Sequence, residues 1–317
     1  MGHRPRYIPE GNHLVEVTTR TLQGRYFLKP TPEVNEIILG IIGRAQRMHR
    51  MEICLLVFMS SHYHMLLVPT DADQLARFMG YVNGQIAKKI LPFTDWDSRF
   101  WSRPFDAILV TDEPAAQRAR FEYLLSHGVK EGLVERPEQW IGIHGIDAWL
   151  RDRPLRGYWF DKSREARARR RIVNRDRRFG RLAFADQETV RLSMLPCWCA
   201  EGLDLEQVRR EIEAMIERIV ERARLERERA GRRRVAGVKR ILAKRRDFRP
   251  RSLDRSPRPL FHFRSGAAFE RWFEAYQDFL LAYRRASKAF RTRDRSARFP
   301  ERCFPPASPF TFDGRVG

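Results

Sequence analysis

The sequence predicts an α+β protein, in which a β-α-β-β-α-β half is followed by a mostly α-helical, strongly basic half. Three observations predict it. Four short stretches rich in apolar and β-branched residues read as strands, and the segments between them carry apolar residues at helical spacing. One of those strands reads His62-Tyr63-His64-Met65-Leu66-Leu67-Val68, entered through Ser60-Ser61. The charge is also divided. Residues 1–150 hold 17 Lys and Arg against 17 Asp and Glu, so the whole excess of +21 lies in 151–317.

The elements follow in order. His13 to Arg20 alternates and carries Val15, Val17, Thr18 and Thr19, which predicts a strand. Gly24 and Pro30-Thr31-Pro32 mark a loop. Ile37, Ile38, Ile41, Ile42, Ala45 and Met48 then fall on one helical face between Glu33 and Arg50. Glu52 to Phe58 is a buried strand, and Met59 to Ser61 turns it back into the histidine strand. Asp71 or Asp73 caps a second helix to about Ile90, buried through Leu75, Phe78, Met79, Val82 and Ile86. Leu91 to Pro104 is a loop, and Phe105 to Val110 a fourth strand. Asp112-Glu113-Pro114 opens an extra helix that Gly128 stops. This is the order of a ferredoxin-like antiparallel sheet, with the histidine strand in a central position.

Within that frame the polar residues converge. Alternate side chains on a strand share a face, so His62 and His64 lie together, with Cα atoms roughly 6.5–7 Å apart. Two imidazoles so placed can hold one divalent metal, while Tyr63, Met65 and Leu67 point the other way into a core. A His-x-His on a strand is common by chance. It gains weight from Arg120-Phe121-Glu122-Tyr123-Leu124-Leu125-Ser126-His127, where Tyr123 and His127 are four apart on a helix and share a face. The pair supplies a phenol nucleophile and a third metal ligand.

The second half reads differently. Pro137 to Leu150 closes the first domain (1–150), 151–181 is an arginine-dense linker centred on Arg169-Arg170-Arg171, and 182–317 is a helical accessory region. A long helix runs from Asp204 to Ala230, opened by a capping box of Asp204 and Gln207. A short basic helix from Val235 to Arg246 pairs with it, either as a helix-turn-helix or as a plain hairpin. A last helix, Ala267 to Phe290, carries an aromatic stripe of Phe269, Trp272, Phe273, Tyr276, Phe279 and Tyr283 that reads first as core and second as a platform for unpaired bases. Arginine dominates the basic residues here and favours bidentate phosphate contacts. The nucleic-acid-binding candidates are Arg169, Arg170, Arg171, Lys239, Arg240, Lys244 and Arg245. Cys54, Cys197, Cys199 and Cys303 are too few and scattered for a disulfide framework and read as free thiols of a reducing cytoplasm. There is no run of eighteen apolar residues and no apolar stretch near Met1, so neither a membrane span nor a signal peptide is expected.

Three segments in order resemble the single-tyrosine transposases of the histidine-hydrophobic-histidine ("HUH") class. Phe58-Met59-Ser60-Ser61-His62-Tyr63-His64-Met65-Leu66-Leu67 is similar to their histidine motif. Phe100 to Val110 is similar to their fourth-strand segment. Tyr123-Leu124-Leu125-Ser126-His127-Gly128-Val129-Lys130 is similar to their tyrosine helix, which usually runs tyrosine, three residues, asparagine, proline, valine and a basic residue. The subgroup it most resembles is the REP-associated tyrosine transposases, relatives of the transposases of IS-two-hundred-type elements. The resemblance covers about residues 5–150.

It implies catalytic Tyr123, a metal site of His62, His64 and His127, and one Mg2+ or Mn2+ ion. It also implies cleavage and rejoining of single-stranded DNA beside a hairpin through a 5′-phosphotyrosine. The protein would act as a monomer or homodimer at the bacterial nucleoid. His127 and Gly128 depart from the usual asparagine and proline, and imidazole at position 127 shifts metal preference towards softer ions. Two other readings stay open. One is a nucleic-acid-binding protein without activity, since ferredoxin-like sheets also bind RNA. The other is a hydrolase that activates water on His62 and His64. Asp106, Glu122 and Gln117 are minor candidates for proton transfer, and His13 for lining the site.

Overall fold

The computed structural model describes residues 5–9, 11–171, 179–231, 234–250, 259–294, 296–301 and 303. Parts of the 151–181 and 182–317 regions therefore lie outside the described residues, namely 172–178, 232–233, 251–258, 295, 302 and 304–317.

The first half follows the expected order: β1 (Val15–Arg20), α1 (Pro32–His49), β2 (Glu52–Phe58), β3 (His62–Val68), α2 (Ala72–Ile90), β4 (Asp106–Val110) and the extra helix α3 (Pro114–Leu125). β1 and β3 are the central strands, with β2 beside β3 and β4 beside β1, all antiparallel. Thr31 caps α1 and Asp71 caps α2, each accepting a backbone N–H three residues on. Strand alternation sends Val15, Val17, Tyr63, Met65 and Leu67 into one core under α1 and α2. The opposite face carries Glu16, His62, His64, Leu66 and Val68.

The sheet gains a fifth strand from the far end of the chain. β7 (Phe261–His262) pairs parallel with β4, Leu109 opposite Phe261 and Val110 opposite His262. The helix α9 (Gly266–Arg291) follows it and buries Trp272, Tyr276 and Phe279 in the same core as α1 and α2. Most of the aromatic stripe is thus core, as its spacing suggests first.

The second face of the sheet is also covered. α4 (Ile146–Arg151), α6 (Pro196–Ala200) and the long α7 (Leu205–Arg229) close over it, with Val208, Ile212, Ile216 and Trp198 in one apolar cluster with Leu66, Phe121 and Trp149. The capping box forms as expected, Asp204 Oδ1 accepting from Gln207 N and Gln207 Oε1 from Asp204 N, both at 2.8 Å. Burying that stripe fixes α7 against α3 (Arg118 adds pairs to Glu201 and Glu211). This apolar cluster therefore draws on residues from both sides of position 150.

The described residues of the expected linker include a strand and a helix. β5 (Leu155–Phe160) and β6 (Ala185–Val190) form an antiparallel ribbon, with α5 (Lys162–Arg170) between them. The ribbon lies on α1 because two glycines meet there. A Cβ at Gly40 would stand 2.2 Å from the Tyr158 carbonyl, and one at Gly157 2.3 Å from Gly40 N and Glu36 O. The short basic helix is likewise smaller than its sequence suggests. α8 covers only Val238–Leu242, with Ile241 in the core. Five residues cannot serve as the recognition helix of a helix-turn-helix, so that reading is withdrawn. Among the described residues no helix is long and apolar enough to cross a membrane, and the four cysteines are free.

Candidate metal and tyrosine site

β3 projects His62 and His64 from the face opposite Tyr63, and the turn after α3 adds His127. Ligand nitrogens of the three lie within 4.8 Å of one another. The ring centroids of His62 and His64 are 5.4 Å apart, and His127 stands 4.5 Å from His64 and 5.9 Å from His62. α3 stops at Leu125, so His127 is not on the helix as its spacing predicts. Its N–H bonds the Leu124 carbonyl in a tighter turn, and Gly128 follows at φ +89°. A proline, locked near −65°, cannot take that conformation. The glycine is therefore what this turn requires.

Each ring has one nitrogen already engaged. His127 Nδ1 donates to the Leu124 carbonyl at 3.1 Å, and His62 Nδ1 lies 3.2 Å from Ser61 Oγ. His64 Nδ1 meets Glu16 Oε1 at 2.7 Å. These contacts leave the three Nε2 atoms for a cation. Burial pushes the imidazoles of His62 and His127 well below their usual range and lowers that of His64 as well. Neutral imidazoles are the form that donates a lone pair to a metal, so the residues present fit a divalent ion.

Glu16 organises what lies behind the histidines. It sits on β1 and is fully buried. Burial alone would raise its carboxyl, but hydrogen bonds from His262 and His64 and the charge of Arg120 hold it well below the carboxylate range. His262 Nε2 lies 2.7 Å from Oε2, and Arg120 forms an ion pair with the same oxygen. A carboxylate on the far nitrogen of a ligating histidine fixes its tautomer and ring orientation.

Tyr123 stands beside this cluster in the same chain. Its ring centroid is 5.2 Å from that of His127 and 6.3 Å from that of His64, and the residue is 40% exposed. Two cations flank the ring: Arg120 Cζ at 3.8 Å and Lys130 Nζ at 3.6 Å from the centroid. Tyr123 also lines an open cleft of about 480 Å3, walled by Arg120, Glu122, Arg222, His262, Phe263 and Arg264 among others.

Two of the similar solved structures are described as transposases. One is a REP-associated tyrosine transposase bound to a REP hairpin, at 17% identity and a TM-score of 0.37, covering 44% of this chain and 80% of that one. The other is a provisionally described transposase from Deinococcus radiodurans, at 17% identity and a TM-score of 0.27, covering 39% of this chain and 98% of that one. No protein-family model and no curated protein matches the chain. Likeness this remote does not bear on chemistry, which rests on the geometry above.

The structure brings Tyr123, His62, His64 and His127 together and leaves the seven basic candidates elsewhere. Arg169 is engaged by Glu165 at the end of α5, where Arg170 and Arg171 also lie. Lys239 and Arg240 are exposed on α8. Arg245 pairs with Asp95 and Asp247, and the Lys244 carbonyl accepts from Lys29. None of them walls the Tyr123 cleft.

The minor candidates have other duties. Gln117 accepts from Cys197 N, Glu122 is held by Arg218 and Arg222, and Asp106 pairs with Arg103. His13 packs edge-on to Trp272. Sequence reasoning missed Glu16, Arg120 and His262. A signal for Glu16 existed, since a carboxylate between Val15 and Val17 on a central strand must face the histidine side of the sheet.

Proposed function

We propose that this protein is a single-tyrosine DNA strand transferase, cleaving and rejoining single-stranded DNA through a covalent bond to Tyr123. The observation that carries the reading is the convergence, in one chain, of a partly exposed tyrosine with three neutral histidines, His64 and His127 buried and His62 half-buried, whose Nε2 atoms are uncommitted. His62, His64 and His127 would hold one divalent cation, which when bound polarises the nonbridging oxygens of a phosphodiester. The all-imidazole donor set suits manganese better than magnesium.

The chain's own residues do the rest. Arg120 and Lys130 supply positive charge where the phosphodiester must sit. Tyr123 Oη forms the bond to phosphorus and gives up its proton to water at its exposed side. The bond from phosphorus to the 3′-oxygen breaks, and that oxygen takes a proton from water and leaves as a hydroxyl. The 5′-phosphotyrosine keeps the energy of the phosphodiester, so a 3′-hydroxyl can later reverse the step. An attacking side chain held on a packed helix needs a backbone splayed open to it, which single strands beside a hairpin provide.

The test is a single-stranded hairpin DNA labelled at its 3′ end, incubated with Mn2+ or Mg2+ and run on a denaturing gel. Label migrating with the protein, lost in Tyr123→Phe and in His64→Ala, is the expected result. Cleavage without an adduct that survives Tyr123→Phe would replace the reading with a water-activating hydrolase. Binding without cleavage under either metal would leave a nucleic-acid-binding protein.

A further inference from the structure

The aromatic residues of the C-terminal end divide into two sets. Trp272, Tyr276 and Phe279 face the core. Phe263 and Phe273 do not, and Phe269 packs partly against that core. Phe263 is 44% exposed and Phe273 37% exposed, with Phe269 half-buried between them. The three rings form a continuous ladder: Phe263 to Phe269 at 4.9 Å between centroids, and Phe269 to Phe273 at 5.3 Å with planes only 18° apart. Large rings left exposed in contact with one another are a surface awaiting a planar partner.

The ladder begins at the nucleophile. Phe263 walls the same cleft as Tyr123, together with Arg120, Arg222 and Arg264. What holds it there is specific. Glu113, at the start of α3, accepts the backbone N–H groups of both Arg264 and Ser265 at 2.9 Å, locking the turn between β7 and α9 onto the tyrosine helix.

We infer that this surface is a single-strand track: Arg222 and Arg264 take a phosphate next to the one attacked by Tyr123, and unpaired bases stack on Phe263 and the rings beyond it. The inference rests on the proposed reading only for the choice of DNA as ligand. Three features favour an unpaired strand over a second copy of the chain. The cleft wall is cationic. The rings start in the cleft that Tyr123 lines. Each ring presents a rigid π-face, which any base can cover irrespective of sequence. Glu270 and Glu274 follow Phe269 and Phe273 on the helix. Phosphates are therefore held at the Arg264 end, and bases cover the ladder.

The experiment measures fluorescence anisotropy of a labelled mixed-sequence single strand binding the full chain in EDTA, where no cleavage occurs. The same strand with abasic sites in place of its bases is run alongside. The Phe263→Ala/Phe273→Ala double variant should bind the base-bearing strand about 5- to 100-fold more weakly, the range for lost base–aromatic stacking. Its affinity for the abasic strand should not change, which also shows that it is folded. Phe263→Trp/Phe273→Trp should restore binding. Arg264→Gln should weaken both strands and reduce the salt dependence by about one phosphate contact.

Unchanged affinity of the double alanine variant for the base-bearing strand overturns the inference. So does an equal loss on both strands. A change in oligomeric state without a change in DNA affinity would reassign the ladder to an interface between copies. Because the assay contains no metal, its outcome is independent of whether Tyr123 forms an adduct, and either reading can fail alone.

Discussion

Glu16 Oε1 lies 2.7 Å from His64 Nδ1, across the two central strands of the sheet. The neighbouring register pair Thr18 and His64 sets this distance, because Glu16 is two residues along on the same face. The carboxylate is also the point where the C-terminal half reaches the histidine cluster, through His262 on β7. One buried charge therefore holds the orientation of His64 and the docking of the fifth strand.

Replacing that charge should loosen the metal more than the fold. Glu16→Gln keeps the volume and removes the anion that orients His64. The expected effect is a metal affinity lower by about 10- to 100-fold, the usual cost of losing such a partner. Titration calorimetry with Mn2+ on the folded variant measures it. Unchanged affinity would reduce Glu16 to a structural anchor for Arg120 and His262.

The Tyr123 ring stands beside those of His64 and His127 of its own chain. Mixing inactive Tyr123→Phe with inactive His64→Ala protein should therefore give no DNA adduct. Recovery of adduct in the mixture, approaching the quarter to half expected of shared sites, would mean that the tyrosine works on a partner's histidines.

Metal choice follows from the donor atoms. The three neutral imidazoles of His62, His64 and His127 form an all-nitrogen donor set. Mn2+ should bind more tightly than Mg2+, on the order of tenfold or more. His127→Asn should narrow that gap by supplying an oxygen donor. Competition between the two ions at constant ionic strength checks both statements.

A pH dependence follows from Glu113. Burial opposes its charge, but the N–H groups of Arg264 and Ser265 and the hydroxyls of Thr111 and Ser265 bring its carboxyl down to about 2, from the ordinary value of 4.5. A depressed carboxyl stabilises the folded state fully above about 4.5, and that stability is lost as pH falls towards about 2. The stability difference between wild type and Glu113→Gln should therefore be constant at neutral pH and shrink through this window. Urea midpoints at several pH values measure it. A difference that does not change with pH would mean that the carboxylate is not what docks β7 and α9.

How much of this was legible in the sequence depends on range. The β-α-β-β-α-β order came from local periodicity, and His62, His64, Tyr123 and His127 from spacing within single elements. Their meeting across β3 and α3 agrees with both. Glu16 and His262 needed strand register, which no local pattern records. The cationic wall of the cleft was not legible for a related reason: runs such as Arg169-Arg170-Arg171 are conspicuous in sequence, while Arg120, Arg222 and Arg264 reach one cleft only through folding. The ribbon of β5 and β6 was missed because Arg156 and Gly157 break the apolar pattern of the first strand and the second is mostly polar, Ala185-Asp186-Gln187-Glu188-Thr189-Val190. Its docking depends on what is absent from Gly40 and Gly157.

Those glycines give the last prediction, and α2 supplies its opposite. At Gly157 a methyl group would meet backbone on α1, with Glu36 O and Gly40 N at 2.3 Å, and backbone cannot swing aside as a side chain can. Gly157→Ala should destabilise the protein by about 1–3 kcal/mol, the cost of overpacking a fitted contact. Gly84 lies exposed within α2 with nothing within 4 Å of an added Cβ. There alanine removes conformational freedom from the unfolded chain and should stabilise by about 0.5–1 kcal/mol. Urea unfolding of the two variants should shift the midpoint in opposite directions. If both shift the same way, the β5–β6 ribbon does not sit against α1 as closely as the two glycines allow.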